Sequence, residues 1–193
     1  MKSNKIIGDK IKNIRESRNI SIEEVSERSG VSSEQIERIE GDMEIPSLAP
    51  LIKIARVLGV RLGTFLDDHD KLGPVVSRAK DKKDNYAIRF THDSTVTRKH
   101  MEYQSLSQDK AGRHMEPFLI DIEESEHTEF TLSSHEGEEF IYVLEGAVEI
   151  VYGKEKYILE SGDSIYYDSI VAHHVHATKG TPAKILGVVY TPF

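Results

Sequence analysis

Residues 21–40 read SIEEVSERSGVSSEQIERIE, and this stretch decides the fold of the first part of the chain. Ser21 followed three residues later by Glu24 forms a capping box, in which the serine hydroxyl accepts a hydrogen bond from a first-turn amide. Gly30 suits the left-handed position that ends such a helix. Ser32 begins a second capped helix directly afterwards. The stretch therefore predicts two short helices joined by a tight turn.

Apolar residues at helical spacing on either side of this pair predict three more helices. The first helix ends near Arg18-Asn19, the fourth runs from Pro46-Ser47 to Gly59, and the fifth is a single short turn. Five compact helices within about sixty residues form a small domain of their own. The inward-facing residues of the first and last helices are Ile7, Ile11, Ile14, Leu62, Phe65 and Leu66.

The pattern changes after residue 66. Charged residues crowd around Gly73-Pro74, which predicts a linker over residues 67–85 with one short strand at Val75-Val76. From Tyr86 onward, short apolar segments alternate with glycine-rich turns, a pattern typical of an antiparallel barrel or jelly roll. The predicted strands are Tyr86–Phe90, Tyr103–Leu106, Phe118–Ile122, Phe130–Leu132, Glu139–Leu144, Val148–Tyr152, Lys156–Leu159, Ser164–Tyr167, His174–Ala177 and Lys184–Tyr190.

The fold class that follows is α+β with two domains: a helical domain over residues 1–66 and an all-β barrel over residues 86–193.

The composition of the 193 residues excludes several classes of function. The absence of cysteine excludes disulfides and thiolate chemistry, and the first residues lack the apolar stretch of a signal peptide, so we expect a cytoplasmic protein without a membrane span. The net charge of −8 excludes a nucleic-acid binder that is basic throughout.

The helical part resembles the XRE/Cro-type, lambda-repressor-like helix-turn-helix domains. The resemblance rests on a long series of positions: Gly8, Ile11, Ile14-Arg15, Ser21-Ile22, Val25-Ser26, Ser29-Gly30-Val31-Ser32, Ile36, Ile39-Glu40-Gly41, Pro46-Ser47, Ile54-Ala55 and Leu58-Gly59-Val60. In that family the second helix of the motif enters the DNA major groove. The resemblance implies a recognition helix over Ser32–Glu40, with Ser32, Ser33, Gln35 and Arg38 facing the groove and Lys12 and Arg15 near phosphates.

A second set of candidate functional residues lies in and beside the predicted barrel strands. His135 and Glu139 lie four apart, an even offset that can place both on one face of a strand, and His173 comes from a later strand. Residues 86–193 resemble the cupin superfamily, whose two motifs supply these ligands. The resemblance implies three of the usual four metal ligands, because Ser133 stands at the first histidine position. Two imidazoles and one carboxylate suit iron, manganese, nickel or zinc.

The alternative for this cluster is a metal-free pocket, in which hydrogen bonds satisfy the three side chains around an organic ligand. Tyr103 and Ser133 are candidate pocket residues, because tyrosine offers a small molecule both an apolar ring and a polar tip. Strand alternation places His174 and His176 on the opposite face from His173, so we expect both on the surface.

The domain order resembles two kinds of protein. One is the transcriptional regulator with a cupin sensor domain, in which a small effector changes the affinity of a homodimer for a double-stranded DNA operator. The other is the iron-dependent hydroxypropylphosphonate epoxidase, a non-haem Fe(II) oxygenase with a similar His-x-x-x-Glu…His set. Asn19 and Leu132 stand where the epoxidase uses a lysine and an asparagine for its phosphonate. We therefore expect the regulator, leaving the epoxidase as the alternative and leaning against an enzyme.

Overall fold

The structure is a computed structural model of the chain. It describes residues 3–44, 46–66, 73–79, 87–89, 101–108, 110, 112–124, 131–178 and 180–192. Five helices come first, as predicted: α1 (Ser3–Ser17), α2 (Ile22–Ser29), α3 (Ser33–Glu40), α4 (Leu48–Val57) and α5 (Leu62–Leu66). No helix within the described ranges is long and apolar enough to cross a membrane.

The caps that the sequence predicts are present at the turn between α2 and α3. The Ser21 hydroxyl accepts from the Glu24 amide at 3.1 Å, and the Ser32 hydroxyl accepts from the Gln35 amide at 3.2 Å. Gly30 ends α2 with φ of 70°, a conformation that costs glycine little, and its amide donates to the Ser26 carbonyl. These local hydrogen bonds fix the ends of α2 and α3 and so define the turn between the two helices.

The described residues that follow contain nine strands: β1 (Ala87–Arg89), β2 (Met101–Ser105), β3 (Met115–Ile122), β4 (Glu138–Glu145), β5 (Ala147–Tyr152), β6 (Glu155–Glu160), β7 (Ser164–Asp168), β8 (His173–Ala177) and β9 (Ala183–Tyr190). They form an antiparallel six-stranded sheet in the order β1-β2-β3-β9-β4-β7 and a three-stranded sheet in the order β6-β5-β8. The two sheets form the predicted antiparallel barrel, and the α+β fold class is confirmed. Alternate residues of β3, β4 and β9 point into the core, and the most buried are Phe118, Val143 and Ile185.

Two strand predictions were wrong. Val75 and Val76 form no strand, and the exposed Val76 lacks the burial that stabilises β-branched residues in a sheet. Thr131 and Leu132 also lie outside any strand, while Phe130 of the same predicted segment falls outside the described residues. The segment enters the barrel only through an isolated bridge between Ser133 and His173.

The helical domain packs directly on the barrel. Val189 of β9 belongs to the buried cluster of the helical domain, and Leu48 and Leu66 pack against the cluster inside the barrel. A buried ion pair between Arg113 and Glu116, 2.8 Å apart, lies against Gly63 of α5 at this contact. A side chain at position 63 would collide with that pair, so glycine there allows the close approach of the two domains.

Candidate functional site

Two half-buried side chains of α3 are held by one carboxylate. Gln35 donates through Nε2 to one oxygen of Glu44 at 2.8 Å, and Arg38 donates through Nε to the other oxygen at 2.8 Å. Arg38 also donates to Glu34, 3.1 Å away. The Arg38 side chain remains 32% exposed, whereas that of Glu44 is only 5% exposed. The buried carboxylate of Glu44 therefore joins Gln35 and Arg38 on one side of α3.

The remaining predicted DNA-contacting residues lie around this face. Ser32 is exposed at the N-terminus of α3, where its hydroxyl serves as the helix cap, and Ser33 is half-buried beside it. Lys12 is exposed on α1. The N-terminus of a helix favours an anionic oxygen, since its amides point outward and its dipole is positive there. Contact of these residues with DNA stays a prediction.

Arg15 occupies a different environment. It donates through Nε and Nη2 to both carboxylate oxygens of Glu40, each at 2.7 Å, and through Nη1 to the Ile20 carbonyl. Its side chain is only 11% exposed, and the hydrogen bond to Glu40 raises the pKa of the guanidinium. Contact of Arg15 with a DNA phosphate stays a prediction, but the geometry assigns it first to joining α1 to α3.

Three side chains converge inside the barrel at the positions that the sequence indicates. His135 precedes β4, Glu139 lies on β4, and His173 begins β8. One ligand atom from each lies within 4.8 Å of the other two. His135 Nε2 is 2.8 Å from Glu139 Oε1, and His173 Nε2 is 3.3 Å from the same oxygen. The cluster brings together two ring nitrogens and one carboxylate in a buried setting.

The second ring nitrogens show which atoms are available as ligands. His135 Nδ1 lies 3.1 Å from the Glu136 carbonyl, and His173 Nδ1 lies 2.8 Å from the Val171 carbonyl. Because a carbonyl oxygen only accepts, each Nδ1 donates a hydrogen to its carbonyl, and each Nε2 faces the Glu139 carboxylate. Two such ring nitrogens beside one carboxylate oxygen either carry hydrogens or share a metal ion with it. The donor set therefore fits a divalent metal.

The carboxylate of Glu139 is itself held from the neighbouring strand. Tyr167, its cross-strand partner on β7, donates to Oε2 at 2.7 Å, and Ser169 donates to Oε1 at 3.3 Å. Burial alone would raise the pKa of Glu139, but hydrogen bonds and charge from His135 and His173 together lower it. Burial and the adjacent carboxylate raise the pKa of Tyr167. Glu139 is thus kept ionised, the state in which a carboxylate binds metal.

The cluster opens into a cavity of about 80 Å³ between the two domains. Tyr103 and Ser133, the predicted pocket residues, line it, and the ring of Tyr103 packs edge-on against Phe118. Leu48 and Ala49 from the N-terminal turn of α4 form another part of the wall. The α4 helix therefore lines the same cavity as the three candidate metal ligands.

The prediction that His174 and His176 are surface residues was wrong for His174. His174 is 5% exposed and stacks on the ring of His176, with the ring centroids 5.5 Å apart. The His176 side chain is 16% exposed, lies 3.5 Å from Glu149, and has a pKa lowered by burial. Alternation along a strand assigns a side chain to a face, but it does not show what covers that face.

Three residues of these sites were not predicted from the sequence. Glu44 lies in a loop after α3, and nothing in its local pattern points to Gln35 and Arg38. Tyr167 and Ser169 contact Glu139 through the pairing of β4 with β7. Only the strand register reveals such partners, and a single sequence does not supply that register.

Comparisons with known proteins agree with this architecture. A helix-turn-helix family model matches residues 11–65, and a cupin domain model matches residues 119–189. Together they cover well over half of the chain. The chain joins a helix-turn-helix domain to a cupin domain. The helix-turn-helix match includes the whole α2–α3 pair, and the cupin match includes all three residues of the barrel cluster.

Relatives of this domain order include both an enzyme and a regulator. (S)-2-Hydroxypropylphosphonic acid epoxidase of Streptomyces wedmorensis is 28% identical over 156 residues, which cover 74% of this chain and 73% of the epoxidase. The HTH-type transcriptional regulator PuuR of Escherichia coli is 23% identical over 190 residues, or 96% of this chain and 94% of PuuR.

Solved structures show the same fold over almost the full length. An HTH_3 family transcriptional regulator from Vibrio cholerae is 24% identical, covers 99% of this chain and 98% of its own, and superposes with a TM-score of 0.71. A structure of the S. wedmorensis epoxidase is 22% identical, covers 97% and 98% respectively, and has a TM-score of 0.51. Among the solved structures the regulator has both the higher TM-score and the higher identity, whereas in the sequence comparison the epoxidase is more identical than PuuR.

Proposed function

We propose that this protein is a DNA-binding transcriptional regulator whose cupin barrel binds a small effector. The observation that carries the proposal is the capped α2–α3 pair, in which α3 carries the half-buried side chains of Gln35 and Arg38 side by side on one carboxylate. Arginine pairs in two-pronged fashion with guanine and glutamine with adenine in the major groove. A protein with this role works in the compartment that holds the DNA, which we take to be the cytoplasm.

In this proposal the α3 residues have distinct roles. Arg38 and Gln35 contact base edges, and Ser32 and Ser33 contact a phosphate at the N-terminus of the helix. Lys12 on α1 contacts the adjoining backbone, joined by Arg15 when its pair with Glu40 opens. Few side chains are available for contact with DNA in this proposal, and residues 1–66 carry a net charge of only +1.

Such a weakly charged domain needs a second copy to bind an operator at physiological salt. Phosphate contacts supply much of the affinity of DNA-binding proteins, and Glu34 and Glu44 lie beside the contacting side chains. A homodimer doubles the contacts and matches a two-fold symmetric operator. The helix-turn-helix then provides one half of the recognition surface.

The effector pocket we assign is the cavity beside His135, Glu139 and His173. Because α4 contributes to its wall, a ligand in the cavity touches the domain that binds DNA. A ligand that binds one arrangement of the two domains better than another shifts the population toward it, and operator affinity changes by the same coupling free energy. Because α4 forms part of the cavity wall, a bound ligand contacts the helical domain directly.

A divalent metal belongs to this proposal as the partner of the barrel cluster. His135, Glu139 and His173 would hold it, with Tyr167 and the two backbone carbonyls orienting the ligands. The bound ion would supply a positive charge that attracts an oxygen or nitrogen donor of the effector. Iron, manganese, nickel and zinc all accept this ligand set.

The second candidate function is that of an iron-dependent oxidase or epoxidase. It is favoured by the barrel cluster and by the 28% identity to the S. wedmorensis epoxidase. Against it stand Asn19, two residues after α1, and Leu132, 44% exposed before the bridge at Ser133. Asn19 lacks the positive charge of the lysine expected there, and Leu132 lacks the amide donor of the expected asparagine, so both phosphonate contacts are missing.

The test is sequence-selective DNA binding by the purified full chain. We expect binding to a fragment upstream of its own gene, weakened by added salt, and roughly 10- to 100-fold weaker for Arg38→Ala and Gln35→Ala. Arg78→Ala, at an exposed arginine between the domains, is the matched control and should bind as the wild type does. Equal binding to the operator and to scrambled DNA, together with Fe(II)-dependent turnover of a hydroxylated substrate, would establish the enzyme instead.

A further inference from the structure

A second cavity, of about 260 Å³, lies between the helical domain and the barrel, and we call it the α2–α4 cavity. Its helical wall comes from the end of α2 and from α4. Its barrel wall comes from residues 134–136, before β4, and from Ile170, between β7 and β8. Among the described residues, only His135 lines both this cavity and the one beside the candidate metal ligands. The two cavities are therefore built from different side chains.

Three cationic side chains line the α2–α4 cavity: Arg28 in the last turn of α2, and Lys53 and Arg56 on α4. Lys53 and Arg56 are three residues apart, so they project from the same side of the helix. Glu136 is the only carboxylate that the described residues contribute to the wall. This excess of positive charge is local, because the whole chain has a net charge of −8. A cleft with such walls concentrates small anions.

The ion pairs of these cations leave them accessible to a ligand. Arg56 pairs with Glu136, and Arg28 pairs with Glu24 at 3.1 Å, and both arginine side chains are about half exposed. Exposed ion pairs contribute little stability, so an incoming anion can share or replace their carboxylates. Lys53 is half-buried and has no carboxylate partner in the described part of the chain.

Apolar side chains lie beside the cations. Ile52 of α4 is buried in the helical wall, and Ile170 is 62% exposed in the barrel wall. The Ser134 hydroxyl donates to the Ile170 carbonyl at 2.8 Å, which joins the two barrel segments at this wall. Inorganic phosphate gains nothing from an apolar surface, whereas the hydrocarbon part of an organic anion is removed from water there. The cavity is smaller than the roughly 300–1,000 Å³ of drug-sized pockets, so it suits a ligand of a few carbon atoms.

We propose that the α2–α4 cavity binds a small organic acid, with its carboxylate or phosphate group on Lys53 and Arg56 and its hydrocarbon part against Ile170. Both cations form charge-assisted hydrogen bonds with either anionic group. The site is additional to the effector pocket beside the barrel cluster. One consequence rests on the proposed function: an anion that draws Arg56 away from Glu136 removes an ion pair between α4 and the barrel, and so changes operator affinity.

The experiment measures the binding of defined probes to the purified full chain without DNA. The probes are hexanoate and phenyl phosphate, and their controls are neutral hexanamide and inorganic phosphate. By calorimetry and ligand-observed NMR, we expect one molecule of at least one probe to bind per chain with a dissociation constant below about 1 mM. The matching control should bind at least about 10-fold more weakly, since it lacks either the charge or the hydrocarbon part. Binding of only one probe identifies the anionic group as carboxylate or phosphate.

Matched variants locate the bound probe. Lys53→Gln should weaken binding at least about 10-fold, because it removes a charged hydrogen-bond donor. Lys154→Gln, in the turn between β5 and β6, should bind as the wild type does. Ile170→Asn should weaken binding about three- to tenfold through lost apolar contact. Its control is Ile158→Asn on β6, because the two isoleucines are 62% and 66% exposed.

Circular dichroism melting curves of the four variants should match that of the wild type, since none of these residues belongs to the buried core. Failure of both probes to bind more tightly than their controls, or equal affinity of Lys53→Gln and Lys154→Gln, overturns the proposal. The proposed function fails separately. A chain that binds a probe but does not select its operator leaves the anion site intact, and a chain that selects its operator but binds neither probe overturns the anion site alone.

Discussion

The helix-turn-helix and the barrel each hold a pair of nitrogen-bearing side chains with one glutamate, but at different depths. In the first, Glu44 holds Gln35 and Arg38, and Arg38 is 32% exposed. In the second, Glu139 holds His135 and His173, whose side chains are 2% and 5% exposed. Gln35 and Arg38 are partly open to solvent and can contact a further partner while the buried Glu44 carboxylate stays paired, whereas both imidazoles of the barrel cluster are enclosed. The comparison indicates that the α3 side chains have room for an additional partner at the surface and that the barrel cluster does not.

The largest effect is expected at the buried cluster. His135→Ala removes one of three candidate ligands and should weaken the binding of Zn²⁺ or Fe²⁺ at least about 100-fold. Elemental analysis of protein purified without chelators and calorimetric titration both measure this. His114→Ala, at an exposed histidine, is the control. Equal metal content in the two variants would show that the cluster is not the metal site. The deeper burial of the cluster, compared with the α3 residues, would then have no link to metal binding.

A smaller effect on the same site tests whether its fixed geometry matters. Tyr167→Phe removes the 2.7 Å hydrogen bond to Glu139 and keeps the ring in the core. Loss of a residue that orients a ligand lowers metal affinity by about 10-fold or more. Tyr152→Phe, whose hydroxyl donates to the Asp168 carbonyl rather than to the cluster, is the matched control. If both variants bind metal like the wild type, Tyr167 has only a packing role.

The smallest effect is expected at Glu44, the partner of Gln35 and Arg38. Glu44→Gln removes a negative charge beside Gln35 and Arg38, so DNA binding should strengthen roughly three- to tenfold at low salt. Glu24→Gln, which alters an exposed pair with Arg28 on α2, is the charge-matched control. Fluorescence anisotropy with operator and scrambled DNA measures both variants. Weaker operator binding by Glu44→Gln would mean that the carboxylate orients Gln35 and Arg38 for their bases.

Much of the fold could be predicted because its signals are local. The caps at Ser21 and Ser32, the left-handed Gly30 and the alternation in β4 each depend on residues within a few positions of one another. Three cluster residues were also predicted, since the cupin resemblance supplies spacings for His135, Glu139 and His173. These signals need no knowledge of how the strands pair.

The remainder depends on contacts between distant segments. The burial of His174, the bond from Tyr167 to Glu139 and the wall that α4 adds to the cavity all arise from tertiary packing. Arg15 shows the same limit: the resemblance placed it near phosphate, and the fold places its guanidinium on Glu40. A sequence pattern predicts the surroundings of a residue only where its spatial neighbours are also close to it in the sequence.

Ala49 belongs at once to the first turn of α4 and to the boundary of the cavity. Its methyl group leaves room that any larger side chain would occupy, at the expense of either the guest molecule or the seating of the helix. Under the proposed function, a larger side chain at this position changes which effector fits and, because it also shifts α4, how strongly the helical domain responds. Variants at residue 49 should therefore differ in effector affinity and in the size of the DNA-binding response together.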